Sequence, residues 1–365
     1  MRVDLTDEQE FLREAVAGAV ARDAPFTAVR GWAESQDFTD PDTLAERQGW
    51  TGIGLDEERG GQGGGTIELA VLAEQLGRGA VPWDRTLAGC LAAGLLAASE
   101  GDEARALAVA VAEGERHAVL VVDGTRPVAA HTLGNGNDAG DGDAGVTLAV
   151  PYVLGGTGAE ELILPVVSGD EVALFAVAVD ATGVTVRSRT IVDRTRSLAD
   201  VTLEGAALRS LGTVTREAMA ATAATAAILV AADALGAAER LLDLTTQYVG
   251  ERRQFGVPVG SFQAVKHAAA EMLVDVEGAR SAVQHGAWAV GAGAEDARLH
   301  ASVAKSHACA AAVRVADKAL FLHGAVGYTW EHDLQFTFKR AKSDALVLGS
   351  PDAYRDLIAD DLGLA

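Results

Sequence analysis

The sequence predicts an α+β protein in three parts: an N-terminal helical domain, a middle β-sandwich or barrel, and a C-terminal four-helix bundle. Three observations carry this. Apolar residues recur with helical spacing at both ends of the chain and with a period of two between them. Glycine and Asp-Gly turns punctuate the middle at short intervals. The C-terminal stretches are long and alanine-rich, which lets helices approach closely. The expected boundaries are 1–106, 107–210 and 211–365.

A chain of 365 residues is long enough for two or three units around sizeable cores. Hydrophobic residues make up 49% and charged ones 22%, the balance of ordinary soluble proteins. The formal charge of −22 weighs against nucleic acid and anionic membrane surfaces, which both recruit basic patches. Cys90 and Cys309 lie in alanine-rich helical contexts, so they read as small buried hydrophobes, with no disulfide or metal site.

The N-terminal MRVDLTDEQEF lacks the apolar core of a signal peptide and starts a helix instead, with Thr6 and Gln9 spaced for a capping box. DEQEFLREAVAGAVARD, DTLAERQGW and TIELAVLAEQLGRG continue the helical pattern. In the last of these Thr66 is the expected cap, and Leu69, Leu72, Ala73 and Leu76 form one face. From about Leu107 the period changes to two. ALAVAVAEG, HAVLVVDG, VTLAVPYVLGG, ELILPVVSGD, EVALFAVAVD and GVTVRSRTIV read as strands. From Thr215 the helical pattern returns, broken at GVPVG, GAGAED and HGAVG. Its most apolar run, Ala218 to Ala232, is too short and alanine-rich to predict a membrane span, so no membrane insertion and a cytoplasmic location are expected.

Two stretches invite a functional reading. In LGNGNDAGDGDAG, 133–145, Gly134, Gly136 and Ala139 are spaced like a dinucleotide fingerprint, but no helix follows to receive a pyrophosphate. The same stretch lacks the closing glutamate of a calcium loop, which leaves a hairpin loop. The second stretch, ERRQFGVPVGSFQAVKH at 251–267, sets Arg252 and Phe255 just ahead of a helix. Arg252 can pair bidentately with a phosphate, Phe255 offers a stacking face, and Gly256 lets backbone approach. A surface ion pair from Arg252 and a core Phe255 would account for the same residues.

The chain as a whole resembles the acyl-CoA dehydrogenase family, end to end. GWTGIGLDEERGGQGGGTIELAVLAEQLGR, DRTRSLADVTLEG, YVGERRQFGVPVGSFQAVKHAAAEM and HGAVGYTWEHDLQFTFKRAKSDA carry the resemblance, together with the helical–β–helical order. It implies FAD shared at a subunit interface, with Arg252, Gln254, Phe255 and Gly324 gripping the adenosine and pyrophosphate end of a neighbour's flavin. It also implies the α,β-dehydrogenation of an acyl-CoA thioester: a carboxylate takes the α-proton and the flavin a hydride.

The same resemblance points to what is absent. The family places its base in one of two positions, which fall here on Leu348 and on Ala226, 26 residues before Arg252. Neither residue can take a proton. The CoA-contacting arginine falls on Ala227, a glutamine of the shared flavin site on Phe321, and the second glycine of a pair on Ala325. The β-domain flavin motifs have no counterpart, and no tryptophan occurs between Trp83 and Trp288. Asp344, Glu251 and Glu331 are the acids nearest these motifs; exposed or salt-bridged structural roles fit them better. His267 and His323 fit structural or cofactor-edge roles.

This pattern is similar to the smaller, degenerate subunit of α2β2 acyl-CoA dehydrogenases of actinobacterial sterol side-chain breakdown. The expected partners are a catalytic subunit, an acyl-CoA substrate in the complex and an electron-transfer flavoprotein. Two other readings differ in what they require. A homo-oligomeric dehydrogenase with an unconventional base would hold FAD without a partner, whereas an acyl-thioester-binding relative would need neither.

Overall fold

The structure, a computed structural model, describes residues 5–132 and 146–364. The glycine-rich motif at 133–145 lies outside the described residues. In chain order the elements are helices α1 (Asp7–Asp23), α2 (Phe26–Ser35), α3 (Thr39–Arg47), α4 (Thr66–Arg78), α5 (Asp84–Ala97) and α6 (Asp102–Ala112). Strands β1 (Ala118–Leu120), β2 (Val146–Leu154), β3 (Glu161–Ser168), β4 (Glu171–Ala178), β5 (Val184–Arg189), β6 (Leu198–Ala206) and β7 (Arg209–Thr215) follow. Then come α7 (Arg216–Glu251), β8 (Arg253–Gln254), β9 (Val257–Pro258), α8 (Gln263–Gly291), α9 (Ala297–His323), α10 (Leu334–Asp344) and α11 (Pro351–Asp361).

The capping box forms as the sequence predicts: Thr6 accepts the Gln9 N–H, and Gln9 accepts the Thr6 N–H at 2.9 Å. At α4 the expectation is only partly met. The helix begins at Thr66 itself, and Glu68 reaches back to accept the Gly65 N–H at 2.7 Å. ALAVAVAEG is a correction, because it forms most of α6 and no strand. Ala104, Ala108 and Val111 are buried at positions i, i+4 and i+7, and Asp102 and Glu103 favour the helix start. Strands β6 and β7 are additional to the strands read from the sequence. Both cysteines are buried and free, and burial pushes their thiols up, to about 12 for Cys90 and about 11 for Cys309.

The chain divides into two compact units, residues 37–69 with 82–226 and residues 1–36 with 70–81 and 227–365. In the first, one sheet runs β1-β3-β4-β7 and the other β2-β6-β5. Among these strands all pairings are antiparallel except β1 with β3. Leu162, Leu164 and Val177 from one sheet share a buried cluster with Val150, Val153, Val201 and Leu203 from the other. A core shared between two sheets makes the β unit a sandwich. Arg196 and Asp84 are buried and paired nearby, and Asp84 also accepts the Ser197 N–H at 2.6 Å.

In the second unit α7 to α10 form the bundle. Gly286 of α8 lies where a Cβ would meet Ile228 of α7 and Ala304 of α9, so small residues set that crossing. Arg340 of α10 pairs with Asp233 of α7 at 3.1 Å and donates to the Val81 carbonyl at 3.0 Å, with both charged side chains fully buried. An unpaired charge there would be costly, so the pair fixes how the helices meet. Helix α7 is long and apolar enough to cross a membrane, yet 72% of its most apolar stretch is buried inside the protein, as for a core helix.

Candidate functional site

The stretch at 251–267 folds as a hairpin between two long helices. Helix α7 ends at Glu251, and the Arg252 N–H still bonds back to the Tyr248 carbonyl at 2.8 Å. Gln254 pairs with Val257 across a two-residue turn, Phe255-Gly256, in which φ is +53° and +82°. Two successive left-handed residues make a type I′ turn, which glycine accepts freely and phenylalanine only under strain. The turn presents Phe255 to solvent at 93% exposure, in edge contact with Phe262 at 6.2 Å. The alternative of a core Phe255 is therefore excluded. Arg252 is exposed, and no ion pair or side-chain hydrogen bond engages it among the described residues. The Gln254 amide folds back onto the Arg253 carbonyl at 2.8 Å.

Gly324 caps α9 with φ +62° and ψ −143°, and a Cβ there would meet nothing within 4 Å. Just before it, His323 is buried and its ring stacks on Tyr248, with centroids 4.5 Å apart. Its Nδ1 lies 2.8 Å from the Ala319 carbonyl, and burial holds its pKa below the usual histidine value. The stack thus joins the helix turn that carries Arg252 to the turn that carries Gly324. Around them Phe321 and Tyr328 are exposed at 81% and 74%, an uncommon amount of bare aromatic surface. Tyr248 and the stacking role of His323 were not legible in the sequence, since nothing in the spacing links residues so far apart.

Leu348 and Ala226 are both buried, at 1% and 0% exposure. Leu348 takes φ +54°, and its carbonyl accepts the Tyr354 hydroxyl at 2.9 Å. Lys305, also fully buried, donates to the carbonyls of Asp344 at 2.8 Å and Gly349 at 3.0 Å. The loop at 344–349 is therefore clamped by Tyr354 and Lys305, and Cys309 Sγ also donates to the Asp344 carbonyl at 3.4 Å. Of the three nearby acids, Glu251 is exposed and accepts a hydrogen bond from Gln247, and Glu331 is exposed. Asp344 is fully buried. His267 is exposed.

The family model for the acyl-CoA dehydrogenase N-terminal domain matches residues 6–107, and that for the acyl-CoA dehydrogenase C-terminal domain matches residues 215–363. The chain belongs to the acyl-CoA dehydrogenase family.

Within that family the chain is 34% identical over 350 residues to acyl-CoA dehydrogenase IpdE2 of Mycolicibacterium smegmatis, covering 95% of this chain and 96% of the relative. Among solved structures it is similar to the ChsE4–ChsE5 complex from Mycobacterium tuberculosis, with a TM-score of 0.88, 27% identity and complete coverage of both chains. It is similar too to a variant of the steroid acyl-CoA dehydrogenase Tcur3481–Tcur3483, with a TM-score of 0.84, 27% identity and 98% coverage of each. The acyl-CoA dehydrogenase fold, helical at both ends around a β unit, is thereby established.

Proposed function

We propose that this chain is the base-less subunit of a heteromeric, FAD-dependent acyl-CoA dehydrogenase, and that its hairpin grips the tail of a flavin seated in a catalytic partner. The observation that carries this is a contrast within one chain. The hairpin of Arg252, Gln254 and Phe255 is formed and presented to solvent, whereas both family positions for a base hold buried alkyl groups, Leu348 and Ala226. The two similar solved complexes, each named for a pair of proteins, support a partner that is itself an acyl-CoA dehydrogenase.

The residues present fit one end of the cofactor. An unspent guanidinium at Arg252 suits a pyrophosphate, and the bare ring of Phe255 suits a face of adenine. Gly324 offers open backbone on the turn that the Tyr248–His323 stack joins to this hairpin. When bound, FAD accepts a hydride from the β-carbon of the acyl chain. This chain's residues do not touch that step: they hold the tail and bury the redundant loop. The α-proton goes to a carboxylate of the partner. A sterol side chain or another lipid acyl group is the substrate, an electron-transfer flavoprotein takes the electrons, and the complex works in the cytoplasm.

The test is the absorbance spectrum and solution mass of the purified chain, alone and co-expressed with its catalytic partner. The expected result is a colourless chain alone and a yellow complex with one flavin per heterodimer. A yellow chain that is active without a partner would sink the proposal.

A further inference from the structure

A cavity of about 340 Å³ opens between the end of α1, the start of α2 and the facing sides of α4 and α7. Its size is within the range of small-molecule sites, about 300–1,000 Å³. Its lining is apolar at Val20, Ala24, Pro25 and Phe26 and polar at Gln75, Arg78 and Arg240.

The two arginines are not equivalent. Arg78 is engaged by Glu239 at 3.2 Å and by Asp243. Arg240 is half-buried yet makes no hydrogen bond or ion pair among the described residues. Its Cζ lies 5.2 Å from the ring centroid of Phe26, which fixes the guanidinium at the cavity wall. Burial, and then Arg78, disfavour its charge, while Asp243 and Asp333 offset this from a distance. Five unspent donors in a planar fork match a carboxylate bidentately. A bare phosphate has more oxygens to satisfy than that fork serves and no chain to cover Val20, Ala24 and Pro25, which supply no side-chain donor.

We propose that this cavity binds a small amphipathic monocarboxylate, with its carboxylate on Arg240 and its chain along Val20, Ala24 and Phe26. The cavity shares no lining residue with the hairpin, so its occupancy is independent of the flavin reading.

Calorimetric titration of the full chain with sodium octanoate is expected to give saturable one-to-one binding. Arg240→Gln is expected to weaken it roughly tenfold or more, as loss of a charge-assisted contact should. Ala21→Phe, which fills the cavity and leaves both arginines in place, is expected to weaken it similarly, and Arg252→Ala to leave it unchanged. Inorganic phosphate and octanol are each expected to bind at least about tenfold more weakly than octanoate, since phosphate lacks the apolar chain and octanol the carboxylate. Absence of saturable octanoate binding, equal binding of phosphate, or full binding to Arg240→Gln and Ala21→Phe would overturn the proposal.

Discussion

Tyr248 and His323 lie face to face, with ring planes 19° apart and centroids 4.5 Å apart. The stack couples the two segments proposed to hold a flavin tail, because Arg252 is four residues after Tyr248 and Gly324 directly follows His323. Arg252→Ala is therefore expected to lower flavin retention in the heteromer roughly tenfold or more, with the melting temperature of the chain unchanged, because only an exposed charge is lost. Tyr248→Ala should lower both, since it also removes the stack. Flavin content by absorbance and melting by calorimetry separate the two. Unchanged flavin content in Arg252→Ala would remove the hairpin from the cofactor site.

The acid side of the stability profile tests His323. Its pKa is depressed by burial, with a smaller contribution from His332, so the folded state prefers the neutral ring. A histidine depressed in the fold stabilises fully above its unfolded value near 6.5 and loses that contribution as pH falls through the window below it. His323→Gln, uncharged at every pH, should flatten this limb. Parallel wild-type and variant profiles below pH 6.5 would show that the buried ring does not report on folding.

Glu74 should act with the opposite sign. Burial raises its pKa most, and the neighbouring Glu239 adds to this, against Arg280, Arg13 and Arg78. Arg280 is closer to Glu239, at 2.7 Å, than to Glu74, at 3.9 Å, which leaves Glu74 the less compensated carboxylate. A carboxyl raised in the fold stabilises below its unfolded value near 4.5 and loses that contribution as pH rises from there toward neutrality and beyond. Glu74→Gln mimics the protonated form, so its advantage over wild type should grow with pH. Denaturant midpoints at pH 5, 7 and 8.5 check this, and a constant difference would refute it.

Helix contact in the second unit depends on glycines that a sequence pattern cannot rank. At Gly236 of α7 a Cβ would lie 1.9 Å from the Glu74 carbonyl oxygen, and at Gly77 of α4 one would lie 2.2 Å from that of Asp233. At Gly18, mid-way along α1 and exposed, a Cβ would meet nothing within 4 Å. Gly236→Ala is thus expected to destabilise by about 1–3 kcal/mol or more through overpacking, and Gly18→Ala to stabilise by about 0.5–1 kcal/mol through helix propensity. Thermal melts of the pair read both signs at once.

What the sequence made legible was local. The Thr6–Gln9 cap, the breaks at GVPVG, GAGAED and HGAVG, and the strand at ELILPVVSGD are written in neighbouring residues, and all formed. ALAVAVAEG misled because alanine satisfies a period of two and a period of 3.6 alike, and only the burial of Ala104, Ala108 and Val111 decides between them. The hairpin could be located from Arg252 and Phe255, yet its turn type and the exposure of Phe255 depend on the backbone. Pairings such as Arg340 with Asp233, Lys305 with Gly349 and Tyr248 with His323 bring together distant residues, and no spacing rule reaches them. Asp344 shows the same limit: its acid was visible beside the motif, and its complete burial was not.

The position that the resemblance assigns to the base gives the sharpest test of the proposed division of labour. At Leu348 the backbone is left-handed, the side chain is buried at 1% exposure, and the Leu348 and Gly349 carbonyls are held by Tyr354 and Lys305. Leu348→Glu would place a carboxyl in that enclosed setting, and an ionised buried carboxylate is strongly disfavoured unless paired. Either it stays protonated or it draws the Lys305 ammonium away from the carbonyls it now holds. Both outcomes predict a lower melting temperature and no dehydrogenation of an acyl-CoA by the chain alone. Lys305→Met should lower the melting temperature as well, because it removes the ammonium from two buried carbonyls and leaves that of Asp344 only the weak Cys309 thiol donor. Assay of Leu348→Glu without a partner, with a dye as electron acceptor, decides the matter. Turnover there would mean that this chain seats a complete flavin beside residue 348, and that only the missing base had silenced it.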